Sequence, residues 1–158
     1  MAAVTVRAAG VLDAPVVGGL LDDFNTEFDC ESPGAGAFAT RFTSLLQRTD
    51  QVVLLAESEQ SGEPVGFAYL TLRATVYYDG PLAQLEELYV RPAWRGRGTG
   101  TALMDAAITL VRERGAGGMS INVDEVDTEA RRFYEQRFGF VNIAPGTDYR
   151  MLYYERDL

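Results

Sequence analysis

The order of predicted elements places this chain in the α+β class, as a mixed, mostly antiparallel sheet of six to seven strands flanked by about four helices. Strand-like segments bunch together: "QVVLLAES", "VGFAYLTLRATVYY" and "LAQLEELYV" follow one another through short turn sequences. The order then becomes helix–strand–helix–strand–strand, whereas a doubly wound fold would alternate strand and helix throughout. At 158 residues, 47% hydrophobic and 23% charged, the chain suits one domain, 1–158, with a full-sized core.

Each element has its own signal. "VTVRAA" (4–9) alternates and reads as the first strand. Asp13 can cap a helix with Pro15 in its first turn, and Val16, Val17, Leu20, Leu21, Phe24 and Phe28 recur at helical spacing. "DCESPGAGA" (29–37) is a loop by its turn residues, and a second helix follows around "FATRFTSLLQR". "QVVLLAES" and "VGFAYLTLRATVYY" form a hairpin about "EQSGEP", and "DGP" turns the chain into the strand 82–90. "GTALMDAAITLVRERG" carries a strong helical stripe and ends at Gly115, a natural C-cap. "MSINV" reads as a strand and "DTEARRFYEQRF" as a helix opening at Asp127. "GFVNI" and "YRMLYYER" read as two last strands.

The absences narrow the chemistry. There is no histidine, and Cys30 is the only cysteine, which excludes an intrachain disulfide, a His/Cys zinc site and any nucleophile that depends on histidine. All 14 basic residues are arginine, which removes Schiff-base and phosphate-loop lysines. Proton carriers must come from Asp, Glu, Tyr, Cys30, water or the substrate, and no metal is expected. A net charge of −9 disfavours nucleic acid and accords with a cationic substrate. No apolar run reaches the ~18 residues of a membrane helix. The N-terminus lacks a basic leader, so a cytoplasmic protein without membrane attachment is expected.

Against that acidic background, "RPAWRGRGTG" (91–100) gathers three arginines among three glycines between a strand and a helix. A helix N-terminus offers unpaired N–H groups and the positive end of the helix dipole. Glycine lets backbone approach an anion closely, and arginine adds charge-assisted hydrogen bonds. The segment therefore reads as an anion site. It is neither a dinucleotide fingerprint, whose glycine spacing it fails, nor a P-loop, which needs lysine.

"RGRGTG", as Arg95-x-x-Gly98-x-Gly100, resembles the R/Q-x-x-G-x-G/A signature of the GCN5-related N-acetyltransferases (GNAT). "LEELYVRPAWRGRGTGTALM" is similar to that family's fourth strand, pyrophosphate loop and following helix. "INVDEVDTEARRFYEQRFGF" resembles its later strand–helix–strand unit with the "A-x-x-FY…GF" pattern. Two departures stand out. Asp127 replaces an asparagine that often contacts the cofactor, and "FYEQRFGF" is one residue longer than usual, an insertion expected at the helix C-terminus.

The resemblance implies transfer of an acetyl group from acetyl-CoA to a small-molecule or peptidic primary amine, by direct attack in a ternary complex. A homodimer is compatible with it, and a non-catalytic acyl-CoA-binding or sensor domain on the same fold is the alternative. Cofactor contacts fall on Arg95, Gly96, Arg97, Gly98, Thr99, Gly100, Thr101 and Asp127, and on the main chain of Leu88, Tyr89 and Val90. Tyr134 is implied as the proton donor to the leaving thiolate, since a phenol stays protonated at neutral pH. Glu86 and Glu87 are the candidate bases, expected on opposite faces because strand side chains alternate. Glu86 is preferred, and Glu87 is held in reserve or as an amine-binding group. Phe24, Asn25, Glu27, Phe28, Tyr77 and Tyr78 fall where the family builds its acceptor pocket.

Overall fold

A computed structural model describes residues 3–158, so Met1 and Ala2 of the N-terminal stretch lie outside it. The chain divides into two compact units, one running to Met119 and one from Ser120 to Leu158.

The first unit is built on antiparallel strands β1 (Val4–Ala8), β2 (Gln51–Ser58), β3 (Pro64–Arg73) and β4 (Leu82–Val90). β5 (Gly118–Ile121) joins beside β4, giving the order β1-β2-β3-β4-β5. Helices α1 (Ala14–Glu27) and α2 (Ala35–Leu45) precede β2, and α3 (Thr99–Glu113) links β4 to β5.

Strand alternation sorts the apolar residues onto two faces. Val53, Leu55, Phe67 and Tyr89 share one face with Val17, Leu20 and Leu21 of α1 and Phe42 of α2. Val52, Leu54, Ala68, Leu70, Ala83 and Leu85 occupy the other face, which the buried Leu103, Met104, Ala107 and Val111 stripe of α3 matches. The two helices of the first layer cross at Gly18, where a Cβ would stand 2.7 Å from the Ala39 nitrogen and 2.8 Å from the Ala35 carbonyl oxygen. Only glycine permits that approach.

The α+β class, the layering and the antiparallel pairing match the sequence expectation. The strand count does not: among the described residues the sheet has five strands. The strand expected over 65–78 stops at Arg73, which faces Leu82 at the end of the β3–β4 ladder. Residues 74–81 become a loop, pinned where the Tyr78 ring covers Gly117, at which a Cβ would lie 2.6 Å from the ring.

The second unit carries α4 (Thr128–Arg132), which runs into a π-helical turn over Phe133–Arg137. The two last strands expected, 139–143 and 149–156, are reduced to one bridge between Ile143 and Arg150 about the turn 144–149. Within the unit they have only each other as ladder partners, and such an isolated hairpin is marginal in water.

Candidate active site

Glu86 and Glu87 sit where β4 breaks register with β3. Tyr69 pairs with Glu87 and Leu70 with Leu85, so Glu86 is an extra residue, a β-bulge. The bulge overturns the expectation that the two carboxylates face opposite ways. Glu87 shares the face of its partner Tyr69, and Glu86 reaches the same side, accepting a hydrogen bond from Thr71 Oγ1 at 2.6 Å. That side is the one α1 and α2 cover.

The two carboxylates differ in environment. Glu86 is exposed. Glu87 is half-buried, and burial, reinforced by the charge of Glu86, pushes its pKa up to about 7. Burial also raises the Tyr69 phenol to about 12, with Glu86 adding to the effect, while its hydroxyl donates to Gln51 Oε1. A half-buried carboxyl that titrates near neutrality, beside a phenol that stays protonated, can take a proton at neutral pH. Tyr69, Thr71 and Gln51 were absent from the residues picked out by sequence. Their signal lay in the register of the hairpin, since Tyr69 and Thr71 are alternate residues of β3 directly across from β4.

Beyond β4 the chain makes a 3-10 turn over Pro92–Trp94, then enters α3 through Gly96 and Gly98, both left-handed with φ 69° and 87°. Gly98 is the N-cap and brings no side chain to the first turn of α3. At Gly96 a Cβ would find no atom within 4 Å, so the approach to its backbone is open. Neutral amides at the positive end of a 15-residue helix suit an anion, and they fit the pyrophosphate of coenzyme A. Thr99 is buried, with its hydroxyl donating to the Trp94 carbonyl at 3.2 Å. Gly100 and Thr101 lie in the same first turn. The Arg97 guanidinium lies 5.9 Å from the Trp94 ring centre.

Arg95 is engaged within the fold. Its Nη1 and Nη2 donate to the two carboxylate oxygens of Glu27 at 2.6 and 2.8 Å, and Nε donates to the Val90 carbonyl at 2.8 Å. The same carboxylate accepts from Tyr89 Oη at 3.1 Å, and Arg95, above all, holds the Glu27 pKa below the usual carboxylate range. Val90, Tyr89 and Leu88 pair with Gly66, Phe67 and Ala68 on the β3 side. On the other side, β5 starts beside the start of β4, where the Gly117 N–H donates to the Pro81 carbonyl at 3.1 Å. Four residues of β5 flank less than half of the nine-residue β4, and among the described residues no further strand lies beyond β5.

The residues expected in an acceptor pocket divide into two groups. Phe24 packs against Tyr89 and Phe28, each with ring centres 5.2 Å apart, so Phe24, Glu27 and Phe28 gather at the end of β4. The Asn25 carbonyl accepts from the Cys30 N–H, closing the end of α1. Tyr77 is 87% exposed in the loop 74–81, and Tyr78 packs on Gly117.

In the second unit, Asp127 caps α4, its Oδ1 accepting from the Ala130 N–H at 3.0 Å. The helix expected over 127–138 changes to a π-helical turn at Phe133–Arg137, wider than an α-helix. Tyr134 stands in that turn, its ring 5.2 Å from Phe133 and 5.9 Å from Phe140. Among the described residues no group of acidic, cysteine or histidine side chains could hold a metal ion, and no helix is long and apolar enough to cross a membrane.

A layered α+β body whose glycine loop opens a helix N-terminus is suited to a phosphate-bearing ligand. Known proteins agree: residues 19–140 match the acetyltransferase (GNAT) family model, and the chain belongs to that family. It is 49% identical to a putative acetyltransferase from Arthrobacter sp. FB24, covering 98% of this chain and 96% of that one, with a TM-score of 0.88. The structure of AAC(6')-Iy in complex with the bisubstrate analogue CoA-S-monomethyl-acetylneamine shares the fold, with a TM-score of 0.76 at 20% identity over 98% of this chain and 99% of that one. A mycothiol acetyltransferase from Thermobispora bispora is 35% identical over 94 residues, which are 59% of this chain and 32% of that protein. The chain thus matches about a third of that relative's length.

Proposed function

We propose that this protein is an acetyl-CoA-dependent N-acetyltransferase in which an amine attacks directly within a ternary complex. Glu87 is assigned as the base. The observation that carries this reading is Glu87 itself, half-buried beside Glu86 with its pKa raised to about 7. When bound, acetyl-CoA supplies the acetyl thioester that the amine attacks. The backbone N–H groups from Gly96 to Thr101 hold the pyrophosphate, and the main chain at Leu88–Val90 receives the amide-bearing arm as an added strand would. Glu87 takes the proton that the amine must lose, directly or through one water, and Glu86 helps to draw a cationic amine to that face. Tyr134 Oη is assigned the proton that the leaving thiolate takes up. Partial burial, which raises its pKa to about 7, favours Glu87 as the base.

The acceptor class is a cationic primary amine. The family match supports acetyl transfer in general, and the acidic pair on the α1–α2 side supports a cationic acceptor. The test is thiol release from acetyl-CoA across a panel of polyamines, aminoglycosides, amino sugars and lysine peptides. Tyr134→Phe is expected to reduce turnover about 100-fold or more while coenzyme A affinity stays within about threefold. Tight coenzyme A binding with no thiol release from any amine would instead mark a binding or sensor domain.

A further inference from the structure

We infer that Glu27 is a positioning residue for the glycine loop: through its bidentate pair with Arg95 it fixes the main chain that receives the coenzyme A pyrophosphate. This deepens the acetyl-CoA assignment above and rests on it. Arg95 joins three elements. Two of its nitrogens go to Glu27 at the end of α1, and the third goes to the Val90 carbonyl at the end of β4. Its own backbone opens the loop. Tyr89 Oη donates to the same carboxylate at 3.1 Å, and the Phe28 and Tyr89 ring centres lie 5.9 and 5.7 Å from the guanidinium carbon. A fork-to-fork arginine–carboxylate pair sets direction as well as distance.

What Arg95 leads into are two glycines. Gly96 follows it immediately, and Gly96 and Gly98 both take positive φ. Glycine enters that region without steric cost but is not confined to it. Holding the residue before Gly96 from two sides removes much of that freedom before the coenzyme arrives.

Charge makes the sign of a substitution diagnostic. Glu27 is an anion whose partner opens a loop meant for a second anion, so as a bystander it would oppose coenzyme binding. If Arg95 instead acted by its own charge on the pyrophosphate, removing Glu27 would release the guanidinium and tighten binding. Positioning predicts the reverse.

The experiment is calorimetric titration of coenzyme A into wild type, Glu27→Ala, Glu27→Gln and Glu27→Asp, with steady-state kinetics on the same proteins. Glu27→Ala is expected to weaken coenzyme A about tenfold, which is about 1.4 kcal/mol. Glu27→Gln should weaken it less, and Glu27→Asp should return within about threefold of wild type. The KM for acetyl-CoA should rise by a larger factor than the acceptor KM. Unchanged or tighter coenzyme A binding in Glu27→Ala overturns the positioning role, and so does a rise confined to the acceptor KM. Should the alanine variant not fold, the glutamine and aspartate variants decide on the same criteria. A wild-type chain that fails to bind coenzyme A refutes the acetyltransferase reading instead, which keeps the two failures apart.

Discussion

Replacing Glu87 by glutamine probes the site through stability as well as rate. The folded protein moves this carboxyl from 4.5 to about 7, a difference of about 2.5 pKa units. At ~1.36 kcal/mol per unit the ceiling is ~3 kcal/mol, and partial solvent access reduces it to about 1–2 kcal/mol. Below about pH 4.5 the group is neutral in both folded and unfolded chains and costs nothing. Above about pH 7 it is charged in both, and the folded state carries the whole penalty. Wild type should therefore lose stability relative to Glu87→Gln as pH rises through that window. Urea denaturation of both proteins at about pH 4 and pH 8 measures the difference, which should grow from near zero to about 1–2 kcal/mol in favour of the glutamine variant. The rate runs the other way: kcat/KM of wild type should climb with pH and level off above about 7, and the variant should lose that limb. A stability difference that is flat across the range, or that grows towards acid, would refute the assignment of a buried, near-neutral carboxyl.

Gly98→Ala puts a side chain at φ 87°. It should cost about 1–2 kcal/mol in denaturant unfolding and raise the KM for acetyl-CoA while leaving the acceptor KM alone. Gly18→Ala forces a Cβ to 2.7 Å from the Ala39 nitrogen, and a loss of about 1–3 kcal/mol should appear as a lower denaturation midpoint with no direct effect on coenzyme A affinity. Asp127→Ala removes the cap on Ala130 and should lower stability by about 0.5–2 kcal/mol. Asp127→Asn, which keeps a capping oxygen, should restore most of that loss in the same unfolding assay.

Most of the first unit was legible in the chain because its signals are local. Helical spacing marked α1 and α3, β-branched and apolar runs marked β2 to β4, and glycine beside arginine marked the anion loop. What escaped depends on partners distant in sequence. Alternation along 82–90 says nothing of a bulge, which exists only relative to β3, so Glu86 and Glu87 were set on opposite faces. Arg95 reads as a cation for phosphate until the fold brings Glu27, 68 positions earlier, against it. The end of β3 was overextended because Val76, Tyr77 and Tyr78 have strand-forming side chains but no strand opposite them once Arg73 meets Leu82. The π-helical turn at Phe133–Arg137 was not legible, because "DTEARRFYEQRF" reads as one continuous helix.

The bulge at Glu86 also sets the parity of the strand. Leu82–Leu85 and Glu87–Val90 are two reading frames of one β4, offset by a single residue. Straightening β4 with Glu86 kept would act as a frameshift in space. With the first half kept in register, Glu86 would pair with Tyr69 and every side chain from Glu87 onward would change face, carrying Tyr89 away from Phe24 and Glu27 and turning the Glu87 carboxyl towards the α3 side. One inserted residue thus decides which side chains in the second half of β4 turn towards α1 and α2.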